Sequence, residues 1–250
     1  MSNCFLETNC DKQVYNKKID CNKDFCIKKY KLEYLYKAGL FSATQRDHIS
    51  LRIDEDGTDY REFKLLSEIE TNILKFVNDG LNLYIHSSNP GTGKTSWSLR
   101  LTEAYFNKIW KDCKLTCKVL FVSVPKFLLA LKDSISKHNE YAEYLKVNIP
   151  KADLVIWDDI AAKMGSEYEI NYLLNFIDNR TAYKKANIFT SNLNAQEIYA
   201  ALGERLGSRI CNLAIDVEFH GKDKRKVVTN NSVSELFNGG NDGQSSTINK

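Results

Sequence analysis

The chain has no apolar run long enough to cross a membrane, and its first residues lack the pattern of a signal peptide. These absences predict a cytoplasmic protein with no membrane partner, in which cysteines are more often thiols or metal ligands than disulfides. The net charge is only +3 over 250 residues. Total charge therefore does not indicate a nucleic-acid partner, and a local basic face would matter more.

The most informative segment, residues 88–95, reads Ser-Asn-Pro-Gly-Thr-Gly-Lys-Thr and is a phosphate-binding loop except that Ser88 replaces its first glycine. The apolar run Leu81–Ile85 precedes it and an amphipathic helix pattern follows, which is the strand–loop–helix context of a true site rather than of a chance glycine turn. Lys94 would reach the β- and γ-phosphates, and Thr95 would ligate Mg²⁺. The predicted nucleotide-binding residues are Asn89, Pro90, Gly91, Thr92, Gly93, Lys94, Thr95 and Ser96.

Compact apolar runs alternate with helical patterns after residue 80, which predicts an α/β fold with a parallel, doubly wound sheet. A helix over Tyr60–Asn78 comes before this series. We expect a Cys-rich domain over residues 1–53, a core over 60–226 and a disordered tail over 227–250. The five predicted strands are Leu81–His86, Lys118–Val124, Asp153–Asp158, Asn187–Ser191 and Leu213–His220.

Polar side chains end two of these strands. Asp158 and Asp159 close a hydrophobic run, where Asp158 would hold Mg²⁺ and Asp159 would act as a general base toward water. Asn192 is the first choice for orienting that water, and Thr190 is the second. By themselves these residues also fit a structural Asp pair and a turn-forming Asn. Their place after the phosphate loop favours the catalytic interpretation.

Arg205 and Arg209 lie four residues apart in the segment Glu-Arg-Leu-Gly-Ser-Arg-Ile that follows a predicted helix over Ala195–Leu202. They fit either solvated surface charges or an arginine finger, a side chain that stabilises transition-state charge at a neighbouring subunit's nucleotide. The sequence alone leaves both interpretations open.

Taken in order, these motifs over residues 60–226 resemble the AAA+ ATPases, and within them the helicase loaders of the DnaC/DnaI type. The resemblance implies an ATP–Mg²⁺ site at Lys94 and Thr95, with Asp158 as the metal residue. It further implies a replicative hexameric helicase and single-stranded DNA as partners, self-association through the ATP interface, and a core without the usual C-terminal lid. The remaining implied roles are the acidic catalytic position for Asp159, sensor for Asn192, finger for Arg209, assistance by Arg205, and a substitute sensor arginine for Arg225.

Two departures from the family pattern concern the geometry of the loop at Ser88 and the rate of hydrolysis at Asp159, which is predicted to be slow. Ser88 replaces a loop glycine, and Asp159 replaces the usual glutamate with a side chain one methylene shorter. Lys126 and Lys132 lie in a helix that the family uses to contact single-stranded DNA, and they would meet phosphates. That helix is predicted to start at Ser123 and Pro125, and its apolar residues are expected to be core.

Four cysteines in the first 26 residues, Cys4, Cys10, Cys21 and Cys26, fit a Zn²⁺ site or unrelated thiols. Zinc is the favoured interpretation, since loaders of the DnaI type resemble this chain in carrying a small zinc-binding domain that grips the helicase. The leading function is thus an ATP-dependent helicase loader. The alternatives are a transposition helper ATPase, a small-molecule P-loop kinase and a nucleotide-binding adaptor with little hydrolysis.

Overall fold

The computed structural model describes residues 4–6, 10, 13–14, 17–18, 20–21, 23, 25–47, 49, 51, 57–162 and 166–224. Its strands are β1 Gln13–Val14, β2 Lys17–Lys18, β3 Asn82–His86, β4 Val119–Ser123, β5 Leu154–Asp158, β6 Ala186–Ser191 and β7 Ala214–Glu218. Its helices are α1 Ile27–Ala38, α2 Tyr60–Thr71, α3 Ile73–Asn78, α4 Lys94–Ile109, α5 Val124–Ser136, α6 Glu140–Asn148, α7 Glu167–Ala182 and α8 Ala195–Cys211.

Strands β3 to β7 form one parallel sheet in the order β4-β5-β6-β3-β7, while β1 and β2 form a separate antiparallel pair. The predicted α/β fold and its five parallel strands are confirmed, with ends shifted by only one or two residues. Every residue of β3 and β6 is buried, as expected for strands covered by helices on both faces.

Alternate side chains of the strands enter two hydrophobic cores. Leu83 and Ile85 of β3 point into the core that α1 to α4 cover, whereas Tyr84 points into the core beneath α5 to α8. This alternation fixes the register of β3, because a shift of one residue would exchange the two faces. Because β5, β6 and β3 are neighbouring parallel strands, their carboxyl ends meet at one edge of the sheet. Ligands bind at this edge in open α/β folds.

Helix α1 packs on the same hydrophobic core as the parallel sheet. The Tyr36 ring meets the Phe106 ring edge-on with centroids 4.9 Å apart, and the Phe121 N–H of β4 donates to the Gly39 carbonyl at 2.9 Å. The Tyr144 hydroxyl donates to the Ala38 carbonyl at 2.7 Å. The described residues from Ile27 onward are thus integrated with the sheet, and the domain boundary at residue 53 stays a prediction.

Two helix predictions need correction. The helix expected over Tyr60–Asn78 is broken at Asn72, whose backbone is non-helical and whose side-chain amide donates to the Glu68 carbonyl at 3.0 Å. Asparagine competes for backbone groups in this way and so favours helix ends. Conversely, the helix expected to stop at Leu202 runs on as α8 to Cys211 through a kink at Gly203, which has φ 78°.

The start of α5 is confirmed, with Ser123 as its N-cap and Pro125 in its first turn. The predicted disordered tail over 227–250 lies outside the described residues, as does Arg225. In the part of the chain that the structure describes, no helix is both long and apolar enough to span a membrane.

Candidate nucleotide-binding site

The glycine loop lies between β3, which ends at His86, and α4, which begins at Lys94. Gly91 has φ 68° and Gly93 has φ 107°, left-handed conformations that glycine adopts without the steric cost of a side chain. Gly93 is the N-cap of α4, so the loop ends at the positive end of a helix dipole. Backbone N–H groups at such a helix start bind phosphate oxygens, as the sequence predicts.

Lys94 is buried beneath the loop, where its Nζ donates to the carbonyls of Ser87 at 3.3 Å and Asn89 at 3.1 Å. The Thr92 hydroxyl is also buried and has no hydrogen-bond partner among the described residues. A buried cation and an unsatisfied hydroxyl next to two glycines fit a polyphosphate, which would supply the missing acceptor.

The two side chains predicted to hold Mg²⁺, Thr95 and Asp158, are already in contact, and Thr190 contacts the same carboxylate. The Thr95 hydroxyl donates to Asp158 Oδ1 at 2.9 Å, and the Thr190 hydroxyl donates to the same oxygen at 2.8 Å. Hydroxyl and carboxylate oxygens are the ligands that Mg²⁺ prefers in proteins. Thr95 and Asp158 therefore fit the metal role, and Thr190 orients the carboxylate.

Burial raises the pKa of the Asp158 carboxyl above its usual range, and the nearby Asp159 charge adds to this effect. A raised carboxyl pKa means that the folded protein binds more protons than the unfolded chain. The contribution of Asp158 to the stability of the nucleotide-free protein therefore falls as the pH rises from the ordinary carboxyl pKa through the raised pKa.

We expect Asp158→Asn to raise the melting temperature of the nucleotide-free protein at pH 7, because the variant removes a poorly solvated charge and can keep both threonine hydrogen bonds. The gain should vanish below the ordinary carboxyl pKa, where Asp158 is neutral in both states. Thermal melts from pH 3 to 8, with Asp133→Asn as the control, measure this. A gain that persists at low pH would contradict the electrostatic cause.

Asp159 is exposed at the mouth of the site, in the left-handed region with φ 55°. Aspartate and asparagine tolerate this conformation better than most residues, which gives a backbone reason for the aspartate found here. Its N–H donates to the Thr190 hydroxyl at 3.0 Å, so Thr190 links the Asp158 carboxylate to the Asp159 backbone. Asn192, the predicted sensor, lines the same cavity.

The cavity has a volume of about 930 Å³. Several of the residues that line it were not predicted from the sequence. Ile49, Leu51 and Phe63 contribute an apolar side, and Asp59 and Phe219 close it. The nearest local sequence signal, the Asp-Glu-Asp-Gly-Thr-Asp composition of residues 54–59, is typical of a turn and does not identify a cavity wall. The apolar side chains could receive a nucleotide base, while the glycine loop receives the phosphates.

Arg209 is not among the described residues that line this cavity. Its Nε donates to the Asp178 carboxylate, and the pair borders a second cavity of about 310 Å³ together with Arg205 and Glu204. Arg209 therefore lies at a surface separate from the nucleotide cavity of its own chain.

The two predicted DNA-binding lysines both have partners within the chain. The Lys126 ammonium lies 4.6 Å from the centroid of the Tyr141 ring, and Lys132 forms a 3.2 Å ion pair with the nearly buried Glu169. Lys132 thereby helps to compensate a buried carboxylate, whereas Lys126 makes a cation–π contact with Tyr141.

The structure does not bring the four N-terminal cysteines together as a metal site. The Cys26 sulfur instead caps α1 by accepting from the Lys29 N–H at 3.4 Å, and Cys4 and Cys10 pack against the hydrophobic core. Within the described ranges, no three His, Cys, Asp or Glu side chains form a group that could hold a metal ion. The zinc prediction is therefore unsupported there.

Comparison with known proteins finds a matching family of ATP-binding proteins and a similarity to helicase loaders. The family described as "IstB-like ATP binding protein" matches residues 50–228. The replicative helicase loader DnaC of Escherichia coli K12 is 29% identical over 127 residues, covering 51% of this chain and 49% of the loader. The chain thus spans about half the length of the curated relatives it matches.

Two solved structures share the fold. A putative primosome component from Streptococcus pyogenes superposes with a TM-score of 0.55 at 20% identity, covering 77% of this chain and 98% of that one. The DnaC helicase loader superposes with a TM-score of 0.54 at 17% identity, covering 68% and 93%. At these identities the superpositions establish the α/β fold alone.

Proposed function

Because the chain belongs to the IstB-like ATP-binding family, we propose that it is an ATPase that loads a hexameric replicative helicase onto single-stranded DNA. The observation that carries the proposal is the arrangement of Thr95, Asp158 and Asp159 beside the glycine loop, in a chain similar to helicase loaders. Bound Mg²⁺ would neutralise phosphate charge during the reaction. A cytoplasmic location fits this role.

The chain's own residues would divide the work between binding and chemistry. Lys94 and the loop N–H groups hold the polyphosphate, and Thr95 with Asp158 holds the metal. Asp159, exposed at the cavity mouth, accepts a proton from the attacking water, which Asn192 orients. The shorter reach of aspartate favours slow turnover, as suits a switch that changes partners with its nucleotide state.

Single-stranded DNA would run along α5, where Lys126 is the better phosphate contact because Lys132 is engaged by Glu169. Self-association would place the surface of Arg209 against a neighbouring nucleotide. Neither contact requires the helicase, so each can be studied with the purified chain.

Asp159→Asn is expected to keep ATP affinity and abolish hydrolysis, because asparagine tolerates the same left-handed backbone but cannot accept the proton. A loader that cannot hydrolyse ATP should retain its helicase. We therefore expect the variant to co-purify with the replicative helicase in the presence of ATP more persistently than the unaltered chain.

The measurement is co-purification with candidate helicases, with and without ATP, alongside the ATP turnover rate. Lys94→Ala is the control that should retain no helicase in an ATP-dependent manner. Normal turnover by Asp159→Asn would refute its catalytic role. No ATP-dependent helicase capture by any of the three proteins would contradict the loader proposal.

The second candidate is a transposition helper ATPase, which the family match itself favours. A helper would share the nucleotide chemistry but would bind a transposase and double-stranded DNA in place of a helicase. Parallel co-purification with a transposase of the same genome distinguishes the two.

A further inference from the structure

The residues that follow β7 cross directly over the glycine loop. We call Phe219–Lys224 the strap. The Asn89 side-chain amide donates to the strap carbonyls of Gly221 at 3.1 Å and His220 at 3.4 Å. The Lys224 N–H donates to the Gly91 carbonyl at 3.0 Å. The strap is thus bonded to two positions of the predicted phosphate loop.

Asp59 fastens the strap from the other side. Its two carboxylate oxygens accept from the backbone N–H groups of His220 at 2.7 Å and Gly221 at 2.9 Å. Asp59 is buried and has a left-handed backbone with φ 65°, a conformation that is uncommon outside glycine. The Phe219 N–H also donates to the His86 carbonyl at 2.8 Å. These bonds fix the strap's position at the edge of the nucleotide cavity.

The strap brings a carboxylate against the loop. A Cβ built on Gly91 would overlap the carboxylate of Asp223. Gly91 belongs to the loop whose N–H groups attract anions, and both Gly91 and Lys224 line the nucleotide cavity. The Asp223 carboxylate therefore lies against Gly91, next to the place where a negatively charged polyphosphate would bind, while the strap residue that lines the cavity itself is the cationic Lys224.

We propose that the strap is an internal competitor of the nucleotide, in which Asp223 opposes polyphosphate binding at the Gly91 segment until the strap moves away. The proposal rests on the proposed ATP site and adds its regulation. Two consequences follow. Removing the Asp223 charge strengthens binding in proportion to the phosphate charge of the ligand, and ATP binding loosens the strap.

The first consequence is tested by calorimetry with ATP, ADP and adenosine on the full chain. Asp223→Asn should bind ATP about fivefold more tightly. This factor corresponds to the repulsion energy between two like unit charges roughly 4 Å apart in water. The gain should be smaller for ADP and absent for adenosine. Asp112→Asn, which removes a carboxylate from the turn after α4, is the matched control and should leave all three affinities unchanged.

Equal ATP affinities for the unaltered chain and Asp223→Asn would overturn the strap proposal while leaving the ATP site intact. So would an equal gain for adenosine, since that gain would come from a change of fold. Failure of both proteins to bind ATP would contradict the proposed function itself, and the strap with it.

The second consequence uses the unaltered chain and so does not depend on a variant folding. Hydrogen exchange of the strap amides, which include the bonded N–H groups of His220, Gly221 and Lys224, should become faster when ATP and Mg²⁺ are added. Exchange of the loop amides should become slower in the same sample. Slower exchange in both segments would show a strap that closes on the nucleotide, and would overturn the competition.

Discussion

Lys94→Ala is expected to weaken ATP binding on the order of 100-fold and to abolish hydrolysis. Lys94 is buried beneath the loop and already bonded to two loop carbonyls, so its charge is held where the β- and γ-phosphates would lie. The variant would lose one hydrogen bond to each of the β- and γ-phosphates. Hydrogen bonds to charged groups contribute about 1.5–3 kcal/mol each, and two bonds at the lower end of this range account for a factor of about 100. Isothermal calorimetry with ATP–Mg²⁺ measures the change.

The matched control is Lys108→Ala, which removes an exposed lysine from the last turn of the same helix. It should bind ATP as the unaltered chain does. Because Lys94 also supports the loop, circular dichroism and a thermal melt must show that Lys94→Ala is folded. Unchanged ATP affinity in a folded Lys94→Ala protein would refute the assignment of the loop.

Arg209→Ala is expected to reduce turnover on the order of 10³-fold or more if chemistry is rate-limiting, as removal of an arginine finger does. The isolated subunit should keep its ATP affinity, since Arg209 does not line its own chain's cavity. Mixing Arg209→Ala with Lys94→Ala subunits should restore activity, because each variant keeps the half-site that the other lacks. The rescue should grow with protein concentration and with single-stranded DNA.

The ion pair with Asp178 supplies the control for Arg209. Asp178→Asn breaks the same pair but leaves the arginine in place. An exposed pair of this kind stabilises a fold by at most about 1 kcal/mol, so this variant should retain turnover. If Asp178→Asn loses as much activity as Arg209→Ala, the arginine acts through the pair. If the subunit mixture shows no rescue, a role in a neighbouring site is wrong.

Local patterns correctly predicted the sheet and the position of the glycine loop between β3 and α4. Strands such as Leu154–Asp158 are buried on both faces, and their apolar composition alone identifies them. Gly91 and Gly93 have left-handed backbone angles that no other residue adopts as easily. Their presence in the sequence therefore identifies the loop directly. Both features depend on residues that are close together in the sequence, so they can be predicted from local patterns.

Features that depend on distant partners could not be predicted. Asp59 bonds to residues more than 160 positions away in the chain, and Lys132 forms an ion pair with Glu169 of another helix. The Asp159 N–H likewise donates to the hydroxyl of Thr190, which lies on a different strand. A sequence pattern specifies the residue type at each of these positions but not the residue that it will meet.

The most direct test of a helicase loader is the transfer of the hexameric helicase onto circular single-stranded DNA, which offers no free end for threading. The amount of helicase bound to the circles is measured with and without the purified chain and ATP. We expect ATP-dependent stimulation by the unaltered chain and none by Lys94→Ala. Equal loading without the chain, or with Lys94→Ala in its place, would contradict an ATP-driven loader.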